Sequence, residues 1–91
     1  MAAVRLVIWG RVQGVGFRAF VERQAFKRRL RGWVRNRRDG TVEALLIGDE
    51  PVLGEMEAAC RRGPALAAVS RLERFEAEDD GSEGFRARPT E

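Results

Sequence analysis

Two stretches with helical periodicity, each set between short β-rich runs and stopped by glycine, decide most of what this chain can fold into. In residues 17–28, Phe17, Phe20, Val21, Gln24 and Ala25 fall near one stripe, with Glu22, Arg23 and Lys27 off it. That spacing predicts an amphipathic helix. A second helix is expected from Asp49, a residue suited to the N-cap, with Pro51 in the first turn. It runs to about Arg62, turns Val52, Leu53, Met56, Ala59 and Cys60 inward, and stops at Gly63-Pro64. The chain has 91 residues. That is room for one domain, because two would each fall below the size that folds comfortably alone.

The remaining segments read as strands. Residues 4–9, VRLVIW, carry Val4, Leu6 and Ile8 at period two and predict a strand closed by Gly10. Gly32 breaks the first helical pattern, and residues 33–35 form a short strand. Residues 36–40 are a hairpin loop with Asp39-Gly40 as the turn signal, and residues 41–47 return as a strand. Residues 65–68 connect to a strand at 69–77, residues 79–82 turn, and 84–88 make a short last strand holding Phe85. The order is β-α-β-β-α-β with a fifth strand at the end. The expected fold class is α+β, a ferredoxin-like βαββαβ sandwich with two helices on one face of an antiparallel sheet. Many functions share that fold, so it selects none of them.

Absences restrict the chemistry. The chain has no His, no Tyr and a single Cys, Cys60. A lone thiol cannot close an internal disulfide, and without His it cannot complete a zinc site. Ser–His and Cys–His nucleophile pairs are excluded. Any reaction must run on Arg, Asn, carboxylates and backbone groups. The net charge is +3, and Lys27 is the one lysine. The basic run at 27–38 and the acids Glu76, Glu78, Asp79, Asp80 and Glu83 divide the charge unevenly. Two readings fit the arginine bias: a GC-rich genome, or an anionic partner such as phosphate, nucleotide or nucleic acid. No apolar run approaches the roughly 20 residues of a membrane span, so no membrane partner is expected. Residues 1–10 lack the charged region and long apolar stretch of a signal peptide, which makes the cytoplasm the expected location.

The segment between the first strand and the first helix is rich in glycine: Gly10, Gly14 and Gly16. Glycine admits positive φ and close backbone approach. Several N–H groups can then point inward as an anion nest, and the following helix adds its free N–H groups and positive dipole end. Arg18 opens that helix, and its planar guanidinium can hold two phosphate oxygens at once. A cation in a first helical turn is disfavoured by the dipole by a few tenths to ~1 kcal/mol, a penalty that a bound anion removes. Taken alone, the loop is equally a plain strand-to-helix turn, since its GxxxGxG spacing matches neither the P-loop nor the dinucleotide fingerprint.

Residues 10–18, Gly-Arg-Val-Gln-Gly-Val-Gly-Phe-Arg, resemble the signature of the acylphosphatases. A second signature of that family resembles Gly32-Trp33-Val34-Arg35-Asn36, followed by Asp39-Gly40-Thr41-Val42-Glu43. Chain length and element order are similar to the family across almost the whole chain. The resemblance implies an enzyme that hydrolyses the carboxyl–phosphate mixed anhydride of a small-molecule acyl phosphate to carboxylate and inorganic phosphate, with no metal or cofactor. By motif position it implies that Arg18 binds the substrate phosphate and Asn36 orients the attacking water. The loop backbone of Arg11, Val12, Gln13, Gly14, Val15, Gly16 and Phe17 would hold the phosphate oxygens or another anion. Apart from the resemblance, chain length makes residues 1–91 one expected domain, with a monomer as the default expectation.

The chemistry agrees with that implication. A carboxylate of low pKa leaves without a general acid, and phosphoryl transfer asks chiefly for positioning and charge stabilisation. Asn36 can accept a hydrogen bond from water through its carbonyl and donate another through its amide. It is the only Asn in the chain, and by itself it also reads as a turn residue. No protein base stands out near the motifs, so the substrate phosphate is the expected proton acceptor.

Family members usually carry an apolar residue and Gly where this chain has Arg28 and Arg29 before Leu30. Arg29 is therefore expected in a left-handed helix cap at about 1 kcal/mol relative to Gly. Arg28 is expected at the rim with its stem packed and its head in water, and Phe26 exposed. Trp9 and Trp33 are read as packing residues before base-stacking ones, Cys60 as core, the 28–38 arginines as a solvated face that also steers anions, and Asp79, Asp80 and Glu83 as a solvated turn. An RNA-binding domain of this fold would place aromatics on its first and third strands. Residues 41–47 hold none, so no nucleic-acid partner is expected. A further resemblance is to the acylphosphatase-like domain of the hydrogenase-maturation carbamoyltransferases, which belongs to a far longer chain.

Overall fold

The first β-rich run becomes the centre of the molecule. In a computed structural model describing residues 1–91, β1 (Ala2–Arg11) lies between β3 (Val42–Gly48) and β4 (Ala68–Glu76) and pairs antiparallel with both. β2 (Arg31–Asn36) forms the antiparallel hairpin with β3, and β5 (Phe85–Arg88) extends the sheet beyond β2. The strand order is β4-β1-β3-β2-β5. α1 (Phe17–Lys27) and α2 (Glu50–Arg62) complete the ferredoxin-like α+β arrangement.

Two expectations need correcting. β1 to β4 pair antiparallel, but β5 runs parallel to β2, so the full sheet is mixed. Gly10 does not end β1. A bulge between Trp9 and Gly10 lets the strand step on and pair Arg11 with Ala68. A Cβ at Gly10 would meet the Ala68 carbonyl oxygen at 2.2 Å, so only glycine allows this approach.

Alternation sorts each strand between two faces. Val4, Leu6 and Ile8 of β1, with Val34, Val42, Ala44 and Leu46, face the helices and meet Phe17, Phe20, Val21 and Ala25 of α1 and Leu53, Met56, Ala59 and Cys60 of α2. Each large apolar side chain buried this way contributes about 1.5–3 kcal/mol. The opposite face is not bare. Ala3, Trp33, Leu45 and Ile47 form a second cluster with Ala77 packed against it. Residues 77–84 are tied down there: the Ala77 N–H donates to the Ala3 carbonyl, the Trp33 indole N–H to Asp80 at 3.1 Å, and Arg31 pairs with Asp79. Trp33 is the packing residue expected. Asp79 and Asp80 are more than a solvated turn, because a buried indole N–H and a nearby guanidinium recruit them. Each also accepts backbone N–H bonds within the turn. The Arg31 guanidinium holds the Asp79 carboxyl below its ordinary value, and the Ser82 hydroxyl and N–H do the same for Asp80.

The helix ends follow their local chemistry. α1 closes with the Leu30 N–H on the Ala25 carbonyl and the Arg29 N–H on the Phe26 carbonyl, a Schellman pattern with Arg29 as its left-handed residue at φ 56°. Arg28 departs from the expectation. Its head turns back along the helix to bond the Gln24 carbonyl and side chain and faces Glu55 of α2 at 3.4 Å. Asp49 precedes α2 in extended geometry but makes no side-chain cap bond. Phe26 is exposed and Cys60 is buried, as expected. No helix is long and apolar enough to cross a membrane.

Candidate active site

The loop joining β1 to α1 is built by its own alternation. Val12 and Phe17 are drawn into the core, at 1% and 2% exposure. The residues between them bow outward over a short span. Gly14 and Gly16 make this possible with φ of +73° and +78°, the left-handed region that glycine enters without penalty. Gly16 is also the N-cap of α1, and no side chain caps that helix. None of the backbone N–H groups from Val12 to Ala19 donates to a backbone acceptor; the first such donor in this segment is Phe20, to the Gly16 carbonyl. No acidic side chain stands in the first turn. A run of unpartnered N–H groups at a positive helix end is chemically suited to an anion.

Gln13 serves as a strut in this loop. Its amide donates to the carbonyls of Arg37 at 2.7 Å and Thr41 at 2.9 Å, which fastens the loop to the β2–β3 hairpin. The hairpin turn is fixed by Asp39, whose carboxylate accepts the Thr41 N–H and hydroxyl. Chiefly the Thr41 hydroxyl bond, then the Thr41 N–H, hold the Asp39 carboxyl below its ordinary value.

Arg18 and Asn36 reach one cavity of about 340 Å³, walled by Gly14, Gly16, Arg18, Glu22, Asn36 and Ala87. Arg18 comes from the first turn of α1, and Asn36 is the last residue of β2. Asn36 pairs with buried Val42, so it lies on the helix-bearing face of the sheet. Its backbone carbonyl accepts the Glu91 N–H at 3.0 Å, while its side-chain amide is left free. Arg18 is steadied from behind, donating from Nη1 to the Arg88 carbonyl at 3.1 Å. Only part of the guanidinium is used in this way, and its remaining N–H groups stay available.

The cavity therefore gathers Gly14, Gly16, Arg18 and Asn36. It does not include the side chains of Arg11, Val12, Gln13, Val15 or Phe17. Val12 and Phe17 are core, Val15 packs partly against the core, Gln13 is the strut, and Arg11 is exposed at the end of β1. What these residues can offer a ligand is backbone.

Two contributors were not singled out from the sequence. Glu22 lines the cavity one helical turn beyond Arg18, and the i,i+4 spacing could have found it. The segment after Phe85 supplies Ala87, the Arg88 carbonyl and the Glu91 N–H. Main-chain groups leave no signature in residue types, so nothing in the sequence marks that contribution. Arg35 and Arg37, expected in a solvated face, converge with Arg5 on buried Glu43, at 2.8, 3.4 and 3.0 Å respectively. This cluster lies on the sheet face away from the helices.

The acylphosphatase family model matches residues 4–87. The acylphosphatase of Acidiphilium cryptum (strain JF-5) is 50% identical over 90 residues, which span 99% of each chain. The crystal structure of acylphosphatase from Bacillus subtilis is similar to this fold with a TM-score of 0.93 at 40% identity, covering 97% of this chain and 99% of the other. HypF from T. kodakarensis is similar at a TM-score of 0.85 and 33% identity; 97% of this chain is covered but 12% of HypF, so that likeness is to a small part of a longer protein.

Proposed function

Because this chain belongs to the acylphosphatase family, we propose that it hydrolyses acyl phosphates with Arg18, the backbone of the 11–17 loop and Asn36 as its working parts. The observation that supports the reading is that Gly14 and Gly16 of the loop, Arg18 and Asn36 line one cavity. The loop N–H groups and Arg18 hold the phosphate oxygens and stabilise the charge that develops on them in the transition state. Asn36 accepts a hydrogen bond from the attacking water and sets its approach to phosphorus. The water oxygen bonds to phosphorus, the phosphorus–oxygen bond to the acyl group breaks, and its electron pair leaves on the carboxylate. The water proton passes to a phosphate oxygen. Glu22 is the one carboxylate in the cavity, and its Oε2 accepts the Ala87 N–H at 3.1 Å. The same reading takes residues 1–91 as one domain, acting as a monomer in the cytoplasm.

The test is hydrolysis of benzoyl phosphate in the presence of a chelator, by the wild type and by Arg18→Ala and Asn36→Ala variants shown to be folded. Each substitution is expected to lower kcat/KM by about 10²- to 10³-fold, the usual loss for one group acting on developing charge. Variants that keep wild-type rates would remove both residues from the machinery. A pH–rate profile requiring a protein carboxylate would overturn the assignment of the proton to the substrate.

A further inference from the structure

On the acylphosphatase reading, a phosphate is held by the loop and Arg18. Gly14, Gly16, Arg18 and Asn36 are then committed to the phosphate and the water, and the wall left for the acyl group is Ala19, Glu22 and Ala87. Two of these are methyl groups, which shape the space without selecting by charge. The third is a carboxylate. Glu22 makes no salt bridge, although Arg18 lies one turn away. The two side chains instead grip successive residues of β5: Glu22 accepts the Ala87 N–H at 3.1 Å, and Arg18 donates to the Arg88 carbonyl at 3.1 Å. The Glu22 charge is thus held in place and left without an ion-pair partner.

We propose, resting on the acylphosphatase reading, that Glu22 is a specificity-determining residue that sets the charge preference for the acyl group. An acyl group bearing a carboxylate is disfavoured, and one bearing an ammonium is favoured. The charge acts on the part of the substrate that does not react, so it discriminates among substrates while the phosphate end is bound alike.

The experiment uses three substrates with one scaffold: benzoyl phosphate, 4-carboxybenzoyl phosphate and 4-(aminomethyl)benzoyl phosphate. For each enzyme the readout is the ratio of kcat/KM for the ammonium substrate to that for the carboxylate substrate, with benzoyl phosphate as reference. Glu22→Gln keeps an oxygen for the Ala87 N–H while removing the charge. It is expected to lower the ratio by about tenfold, a Coulombic effect across a few ångströms of partly wet cavity. The difference should shrink as salt is raised, because the cavity is open to solvent. Glu22→Asp keeps the charge while shortening the reach to β5, and it is expected to retain most of the wild-type preference. A ratio that is the same in wild type and Glu22→Gln, while both hydrolyse benzoyl phosphate, overturns the proposal. So does a Glu22→Asp variant that loses the preference as fully as Glu22→Gln, since the β5 contact and not the charge would then be responsible. A folded wild type that hydrolyses none of the three overturns the acylphosphatase reading and this proposal together.

Discussion

Glu43 offers a quantitative test of how the helix-free face is held. The residue is 4% exposed, and its carboxylate receives Arg35 Nε at 2.8 Å, Arg5 Nη1 at 3.0 Å and Arg37 Nη1 at 3.4 Å. Replacing Glu43 with Ala leaves three guanidiniums without their shared anion. Removing one partner of a fully buried pair costs about 3–5 kcal/mol. Here the three arginine side chains are 20%, 35% and 40% exposed, so water recovers part of the loss. We expect about 2–4 kcal/mol for Glu43→Ala, and about half that for Glu43→Gln, which keeps acceptor capacity but no charge. In a domain of this size each kcal/mol moves the Tm by about 4–8 °C, so the alanine variant should melt roughly 8–32 °C lower. Urea unfolding followed by tryptophan fluorescence suits the purpose, because Arg35 stacks 4.7 Å from the Trp33 ring centroid. Single alanine substitutions should rank Arg35 above Arg5 above Arg37, following distance and burial. A loss below about 1 kcal/mol for Glu43→Ala would refute the reasoning, since that is the worth of an ordinary surface pair.

Three other outcomes follow from the same geometry. Arg29→Gly should raise stability by about 1 kcal/mol by releasing the left-handed arginine, read as a higher melting midpoint with benzoyl phosphate hydrolysis retained. Folding lowers the carboxyls of Asp39, Asp79 and Asp80 below their ordinary value of 3.8. Their stabilisation is therefore complete above pH 3.8 and lost as pH falls below it through the folded values; urea midpoints taken down the acid limb should fall less steeply in Asp39→Asn than in wild type. Burial pushes the Cys60 thiol up to about 12, so a disulfide reagent should label it only at the rate at which the protein opens, and labelling should accelerate in urea in step with unfolding.

The legible parts of this molecule are those written in periodicity and in residue type. Phe17, Phe20, Val21 and Ala25 point to α1, and Val4, Leu6 and Ile8 to the buried face of β1, because burial of one face requires that spacing. Gly14, Gly16, Arg18 and Asn36 are legible because the loop geometry and the chemistry each admit few residue types. The parallel docking of β5 was not legible, since a four-residue strand carries no mark of its direction. Neither was the continuation of β1 through Gly10, where a bulge and not the end of the strand explains the glycine. The fate of single charges was hardest to read. Arg28, Arg35 and Asp79 look like solvent-facing residues in sequence, and only the tertiary arrangement supplies Glu55, Glu43 and Arg31 as their partners.

The central position of β1 also bears on the order in which the site can assemble. Of the pairings in the sheet, only β2 with β3 is a hairpin closed by a short turn. β1 must wait for β3 and β4 to arrive from further along the chain, and each such closure costs entropy that grows slowly with the length of chain enclosed. Folds dominated by distant pairings form more slowly than those built from neighbours. Arg18 and the Arg88 carbonyl that steadies it are 70 positions apart. The loop between β1 and α1 can take shape with the early strands, but Arg18 gains its Arg88 support only once the final strand has docked.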